Sequence, residues 1–334
     1  MRKHLAFASF LFVLIVISIT LVEFIYLPNA RHLPRAFYLM GWIGYPDTRI
    51  DDTVLNPIGL TGDVPEAFRP DGTIRVLTLG GSAIFNRRFT ERLKTSLQER
   101  STRPIEVVGA AYRGHTTRSS VIKAGFLTER YPFDFILIYH AINDTWANNV
   151  APDDFRNDYS HLDAWYRRNW ILDHSILVRD LYNSRLYRKP TRRDGESAFQ
   201  SAGTFRANLE TLVHTALEHG SIPLLVTFAT CVPPDYTLER FLGGKVSYNN
   251  PERHDPRAIE EWGPKDKVLE GVRLHNVITR EVAAAFGVPL LDASALFGSD
   301  PLDFGDVCHF SESGTDRFAR LLAAFIVEQT EADD

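Results

Sequence analysis

Four side chains in this sequence, Ser82, Asn143, Asp306 and His309, are of types that can together transfer an acyl group. A serine hydroxyl is a weak nucleophile until a neutral imidazole accepts its proton. His309 can supply the imidazole. Asp306, three residues earlier, can hold the other ring nitrogen from the same short turn and so select the tautomer. Attack on a carbonyl then builds a tetrahedral oxyanion. That species needs donors already in place, from backbone N–H groups at tight turns and from a side-chain amide such as Asn143. Taken alone, Ser82 reads as the cap of a following helix, Asn143-Asp144 as a turn, and Asp-x-x-His as a chance spacing. Their placement relative to the surrounding elements is what gives them weight.

Ile74 to Leu79 is a short apolar run with β-branched residues, read as a buried strand that stops at Gly80-Gly81-Ser82. The glycine pair is expected to allow a sharp turn with unusual backbone angles. Helical spacing from Phe89 to Leu97 leads to a second strand at Ile105–Val108 and a turn over Gly109–Gly114. A helix from Thr117 to about Glu129 precedes a third strand, Phe133–Tyr139, which ends at His140-Ala141-Ile142-Asn143-Asp144. A helix at Phe205–Leu217, a strand at Ile222–Phe228, a helix at Val268–Phe286 and a strand at Val288–Leu291 continue the alternation. Gly287 suits a helix C-cap. Asp306-Val307-Cys308-His309 then precedes a last amphipathic helix, opened by the capping-box form Ser313-Gly314-Thr315-Asp316. Alternating strands and helices predict parallel βαβ units, hence an α/β fold: a three-layer α/β/α sandwich around a five-stranded, mostly parallel sheet. Every candidate side chain falls after a strand, so all are expected at one sheet edge.

Of the 334 residues, 44% are hydrophobic and 24% charged, which suits a packed globular part. The net charge of −5 offers no electrostatic case for nucleic acid. Cys231 and Cys308 belong to no zinc-ligand pattern, and no metal or cofactor is expected. They read either as buried free thiols or, in an exported domain, as a disulfide. Residues 1–4 are a short basic tail. Residues 5–27 are almost wholly apolar and about the ~20-residue length that crosses a bilayer, so an uncleaved anchor in the lipid bilayer is expected there. Residues 28–70 read as linker and approach, 71–330 as the main domain and 331–334 as an acidic tail. Within the main domain, residues 145–202 form an aromatic-rich insertion that ends in a basic cluster, and the loop after Phe228 is a second candidate for the rim of a site.

With these pieces in order, the chain resembles the SGNH hydrolases, also called the GDSL lipase/esterase superfamily. Gly80-Gly81-Ser82 resembles its first block, Ala111–Gly114 the second, Ala141-Ile142-Asn143-Asp144 the third and Asp306-Val307-Cys308-His309 the last. The resemblance implies Ser82 as nucleophile, His309 as general base and Asp306 as its orienting acid. It implies an oxyanion hole from the Ser82 and Ala111 backbone N–H groups and the Asn143 amide. Ala111 and Ala141 stand where the family has Gly, so strain is expected at either position if its φ must be positive. The resemblance also implies an extracytoplasmic esterase acting on an O-acylated glycan or another ester. An O-acyltransferase using the same site and a non-catalytic envelope scaffold are the alternatives. A metallohydrolase built on His140, Asp144 and His309 has no supporting spacing.

Overall fold

A computed structural model of the chain describes residues 2–26, 47–50, 52–150, 152–159, 161–162, 199–251, 256–297 and 300–333. Most of the linker and most of the aromatic-rich insertion, including its basic cluster, lie outside the described residues. Helix α1 (Arg2–Tyr26) includes residues 5–26 of the expected anchor, whose last residue lies outside the described residues. Among the described residues no helix is long and apolar enough to cross a membrane, and several side chains of α1 are outside that description.

After a two-residue hairpin, β1 (Arg49–Ile50) and β2 (Thr53–Val54), the chain enters the main sheet. Its strands are β3 (Thr61–Gly62), β4 (Ile74–Gly80), β5 (Ile105–Gly109), β6 (Phe135–Tyr139), β7 (Ile222–Val226) and β8 (Leu290–Leu291), in the order β3-β5-β4-β6-β7-β8. Among the described residues the sheet therefore has six strands, not the five expected. The extra one, β3, is a Thr-Gly pair antiparallel to β5, too short to carry any periodicity. The other pairings are parallel and in register at their carboxyl ends: Gly80 lies opposite Tyr139, Tyr139 opposite Val226, and Val226 opposite Leu291.

Both faces of the sheet are covered, which is why β4 and β6 are buried along their whole length. Helices α2 (Ser82–Phe85), α3 (Phe89–Gln98), α4 (Thr117–Arg130) and α5 (Ile142–Ala147) follow β4, β5 and β6. Then come α6 (Ser201–Glu218), α7 (Leu238–Leu242), α8 (Lys265–Phe286), α9 (Ala293–Phe297) and α10 (Glu312–Asp333). On one face Val76, Val107, Leu137 and Tyr139 meet Leu93 and Leu97 of α3 and Phe318, Leu322 and Ile326 of α10. On the other, Leu77, Leu79, Ile136 and Ile138 meet α4, α6 and α8. Burying each large side chain of the α10 stripe contributes about 1.5–3 kcal/mol, so packing fixes the last helix, and the loop before it, against the first half of the domain. Gly314 allows that close docking: a Cβ there would stand 1.9 Å from the Asp303 carbonyl oxygen.

Candidate active site

Strand β4 delivers Ser82 to the carboxyl edge of the sheet. The two glycines before it are there for space rather than for unusual angles, since Gly81 is extended at φ −98° and ψ −157°. A Cβ on Gly81 would lie 2.6 Å from Asn143 Nδ2, and one on Gly80 would lie 2.9 Å from the Tyr139 carbonyl oxygen. The glycine pair thus lets the serine turn and the Asn143 turn approach each other. Just beyond α2, Arg87 and Arg88 both take positive φ, 56° and 52°, which side chains of this kind rarely adopt.

Ser82 Oγ lies 2.8 Å from His309 Nε2, although 227 residues separate them. His309 Nδ1 lies 2.7 Å from Asp306 Oδ2. Asp306 is buried, and burial pushes its carboxyl pKa up. Electrostatic attraction to His309, the hydrogen bond from it, and the N–H groups of Cys308 and Arg257 outweigh that effect and hold it below the usual carboxylate range. The Cys308 and His309 N–H groups donate to Asp306 Oδ1 at 2.9 and 2.8 Å, and the Arg257 N–H donates to Oδ2 at 2.9 Å. An ionised carboxylate only accepts, so His309 carries its proton on Nδ1, and Nε2 is left to accept from the Ser82 hydroxyl.

Asn143 opens α5 at the same edge. Its Nδ2 donates to the His115 carbonyl at 2.9 Å, and its Oδ1 accepts from Trp262 Nε1 at 3.0 Å. An indole N–H can only donate, so Trp262 fixes which way the amide faces. Trp262 comes from the long loop after β7, which Tyr236 pins by donating to Glu260 at 2.7 Å and accepting from the Ile259 N–H at 3.1 Å. The expectation that this loop forms part of the rim is met by Arg257, Glu261 and Trp262. All three border a cavity of about 320 Å³ together with Ser82, Asn86, Arg113, Gly114, Asn143, Trp146 and His309. Arg257 Nη1 pairs with Glu261 at 3.1 Å on its outer side.

Ala111 is not brought to this cavity. It is buried in the hydrophobic cluster that includes Ala83 and Phe85. The chain runs on, and Arg113 and Gly114 border the space, Gly114 at φ +71° in the turn closed by the His115 N–H on the Tyr112 carbonyl at 3.3 Å. Positive φ in the third position of such a turn explains the glycine. The positive φ that would have strained Ala111 or Ala141 is not taken at either: Ala141 lies at φ −178°, and Ala111 is not among the residues of positive φ.

The remaining polar residues hold structure. Asp144, buried, accepts from the Thr117 N–H at 3.1 Å and the Thr117 hydroxyl at 2.5 Å, tying α5 to the start of α4. His140 Nε2 meets Ser120 Oγ at 2.7 Å. Cys231 and Cys308 are free and buried, and burial raises both thiols, Cys231 to about 11. Among the described residues the one trio whose donor atoms converge as metal ligands would is Asp306, Cys308 and His309. There the imidazole and carboxylate already bind each other, and neither His140 nor Asp144 joins them.

No family model matches the chain, and no curated protein does. Among solved structures it is similar to a lipase/acylhydrolase from Enterococcus faecalis, at 18% identity and TM-score 0.41 over 78% of this chain and 96% of that one. It is similar to the aryl esterase of M. smegmatis at 16% identity and TM-score 0.44, over 76% and 99% of the two chains. A GDSL-like lipase from Bacteroides thetaiotaomicron aligns at 12% identity and TM-score 0.42, over 78% and 89%.

Proposed function

We propose that the chain is a serine carboxylic-ester hydrolase that works through an acyl-enzyme. The observation that carries this is the unbroken line from Ser82 Oγ to His309 Nε2, at 2.8 Å, and from His309 Nδ1 to Asp306, at 2.7 Å, opening onto a cavity. As Ser82 attacks the ester carbonyl, its proton passes to His309 Nε2, and the imidazolium is stabilised by Asp306. The oxyanion takes hydrogen bonds from the Ser82 N–H, the Asn143 amide and, in place of Ala111, the Gly114 N–H. Each such donor contributes about 3–4 kcal/mol to lowering the barrier. His309 then gives its proton to the departing alcohol, and water, deprotonated by the same nitrogen, releases the acid.

An O-acylated, in particular O-acetylated, glycan is the proposed substrate. Trp146 and Trp262 give apolar faces on which a sugar ring can lie, and Asn86, Arg113, Arg257 and Glu261 give polar groups for its hydroxyls, in a space sized for about one ring and a short acyl chain. We further propose that α1 anchors the chain in a bilayer with the catalytic domain outside the cytoplasm. The apolar sequence of residues 5–27 supports this. Treatment with an alkyl fluorophosphonate tests the central reading: one label is expected, on Ser82, with hydrolysis of an acetate ester abolished in parallel and in Ser82→Ala. Unlabelled, folded protein, or hydrolysis that survives Ser82→Ala, refutes it.

A further inference from the structure

Helix α4 turns one face inward, through Thr117, Ser120, Ala124 and Leu127, and Lys123 shares that face with no exposure at all. Burying an ammonium away from water is costly unless its hydrogens are taken up. Burial also lowers the Lys123 pKa to about 7. Its Nζ contacts two groups: the Ala110 carbonyl oxygen and, at 2.8 Å, His115 Nδ1. These two groups bracket the loop after β5. Ala110 begins the loop, its N–H donating to the Thr78 carbonyl at 2.9 Å, and His115 ends it. Between them lie Arg113 and Gly114, which border the cavity, and the His115 carbonyl is the acceptor that holds Asn143 Nδ2.

We infer that Lys123 is a positioning residue for the oxyanion donors, a buried strut that spans the loop from Ala110 to His115 and thereby places the Gly114 N–H and the Asn143 amide. This rests on the esterase reading for its catalytic meaning, but the strut itself does not. The ammonium form of lysine has three N–H donors and no acceptor, so in that form His115 Nδ1 accepts, and the imidazole ring is thereby held in one tautomer and one orientation. An apolar side chain of the same length would fill the space and support neither end of the loop.

The experiment uses the full chain and four forms: wild type, Lys123→Met, His115→Phe and His115→Asn. Fluorophosphonate labelling counts competent Ser82 sites, so kcat is expressed per labelled site and any misfolded fraction drops out. Lys123→Met and His115→Phe are each expected to lower that kcat about tenfold or more while KM stays within about twofold, because the loss falls on the transition state. His115→Asn, whose Oδ1 replaces Nδ1 as acceptor, is expected to recover most of the rate that His115→Phe loses. Hydrogen exchange read by mass spectrometry supplies a readout independent of activity. Peptides covering 110–116 exchange faster in Lys123→Met and His115→Phe, whereas peptides of β7 do not change. Should Lys123→Met fail to fold, the two His115 variants decide the matter through the same measurements. Unchanged kcat per site with unchanged exchange at 110–116 overturns the inference, as does a loss confined to KM. If Ser82 takes no label in the wild type, the esterase reading falls, and the exchange data still support or reject the strut.

Discussion

Replacing Trp262 by Phe removes one hydrogen bond and little else. The indole N–H that donates to Asn143 Oδ1 at 3.0 Å is lost, while a phenyl ring fills most of the same wall. Asn143 is buried, so its Oδ1 is left without that donor, a cost of about 1–3 kcal/mol. Part of that cost is relieved by letting the amide rotate, which turns Nδ2 away from the oxyanion position. Rotation is opposed by the surviving bond from Nδ2 to the His115 carbonyl at 2.9 Å and by the nearby Gly81 backbone. Complete loss of one oxyanion donor costs roughly 3–4 kcal/mol, which sets the ceiling. With one of the two amide tethers intact, a loss of about 1–2 kcal/mol is expected, or roughly 5–30-fold in kcat at 1.36 kcal/mol per tenfold. The assay is acetate-ester hydrolysis by wild type, Trp262→Phe, Asn143→Ala and the double variant, with kcat and KM resolved separately. If Trp262 works by aiming Asn143, its substitution costs nothing further once Asn143 is alanine, and the double variant matches Asn143→Ala. Additive losses, or a Trp262→Phe effect confined to KM, would refute the reasoning and leave Trp262 as a wall of the cavity.

Gly81→Ala puts a Cβ 2.6 Å from Asn143 Nδ2 and 3.3 Å from the His115 carbonyl, so kcat per labelled site is expected to fall about tenfold or more while Ser82 still takes a fluorophosphonate. Wild-type kcat in this variant would show that the turn has room to spare. Asp306→Asn is expected to lower kcat by about four orders of magnitude, because an amide no longer selects the Nδ1–H tautomer of His309; a loss under about tenfold contradicts the role. His275 is fully buried between Thr145, Ser201 and the Ala141 carbonyl, and burial lowers its pKa to about 3. The unfolded chain binds that proton below about pH 6.5 and the folded chain only near 3, so stability is lost as pH falls through this window, by up to roughly 5 kcal/mol at 1.36 kcal/mol per unit. Urea melts at pH 7 and pH 4.5 check this. His275→Gln should reduce the difference, with the similarly buried His140 supplying part of what remains, and an unchanged slope would assign the acid sensitivity elsewhere.

The parts of the fold legible in the sequence were those governed by continuous apolar burial. β4, β6 and β7 are short runs enclosed on both faces, and α10 shows its stripe openly. Side chains whose chemistry depends on order along the chain, Ser82, Asn143, Asp306 and His309, were legible for the same reason: each follows an element that could be placed. Contacts between distant loops were not legible. Trp262 lies in a long polar loop, and nothing local announces that its indole will reach Asn143, 119 residues away. Lys123 at an inward helix position looks like an ordinary surface lysine until its face is known. Which residue of the loop after β5 borders the cavity depends on turn geometry that a motif does not carry. A three-residue offset within one loop separates a core alanine from a cavity-lining glycine. The glycines at 80 and 81 stand out in the sequence, but the need they meet is room between two crowded turns rather than dihedral freedom.

Ser82 and His309 come from distant parts of the sequence, joined only when α10 docks beside α3. During synthesis the sheet from β4 to β7 and its covering helices can assemble while the ribosome still holds everything past Leu291. Such a nascent chain presents a serine with no imidazole beside it, which on the esterase reading leaves it without its general base. On that reading competence arrives in a single late step, with the closing stretch from Asp306 onward, and a prematurely terminated product is expected to be inert rather than partly active.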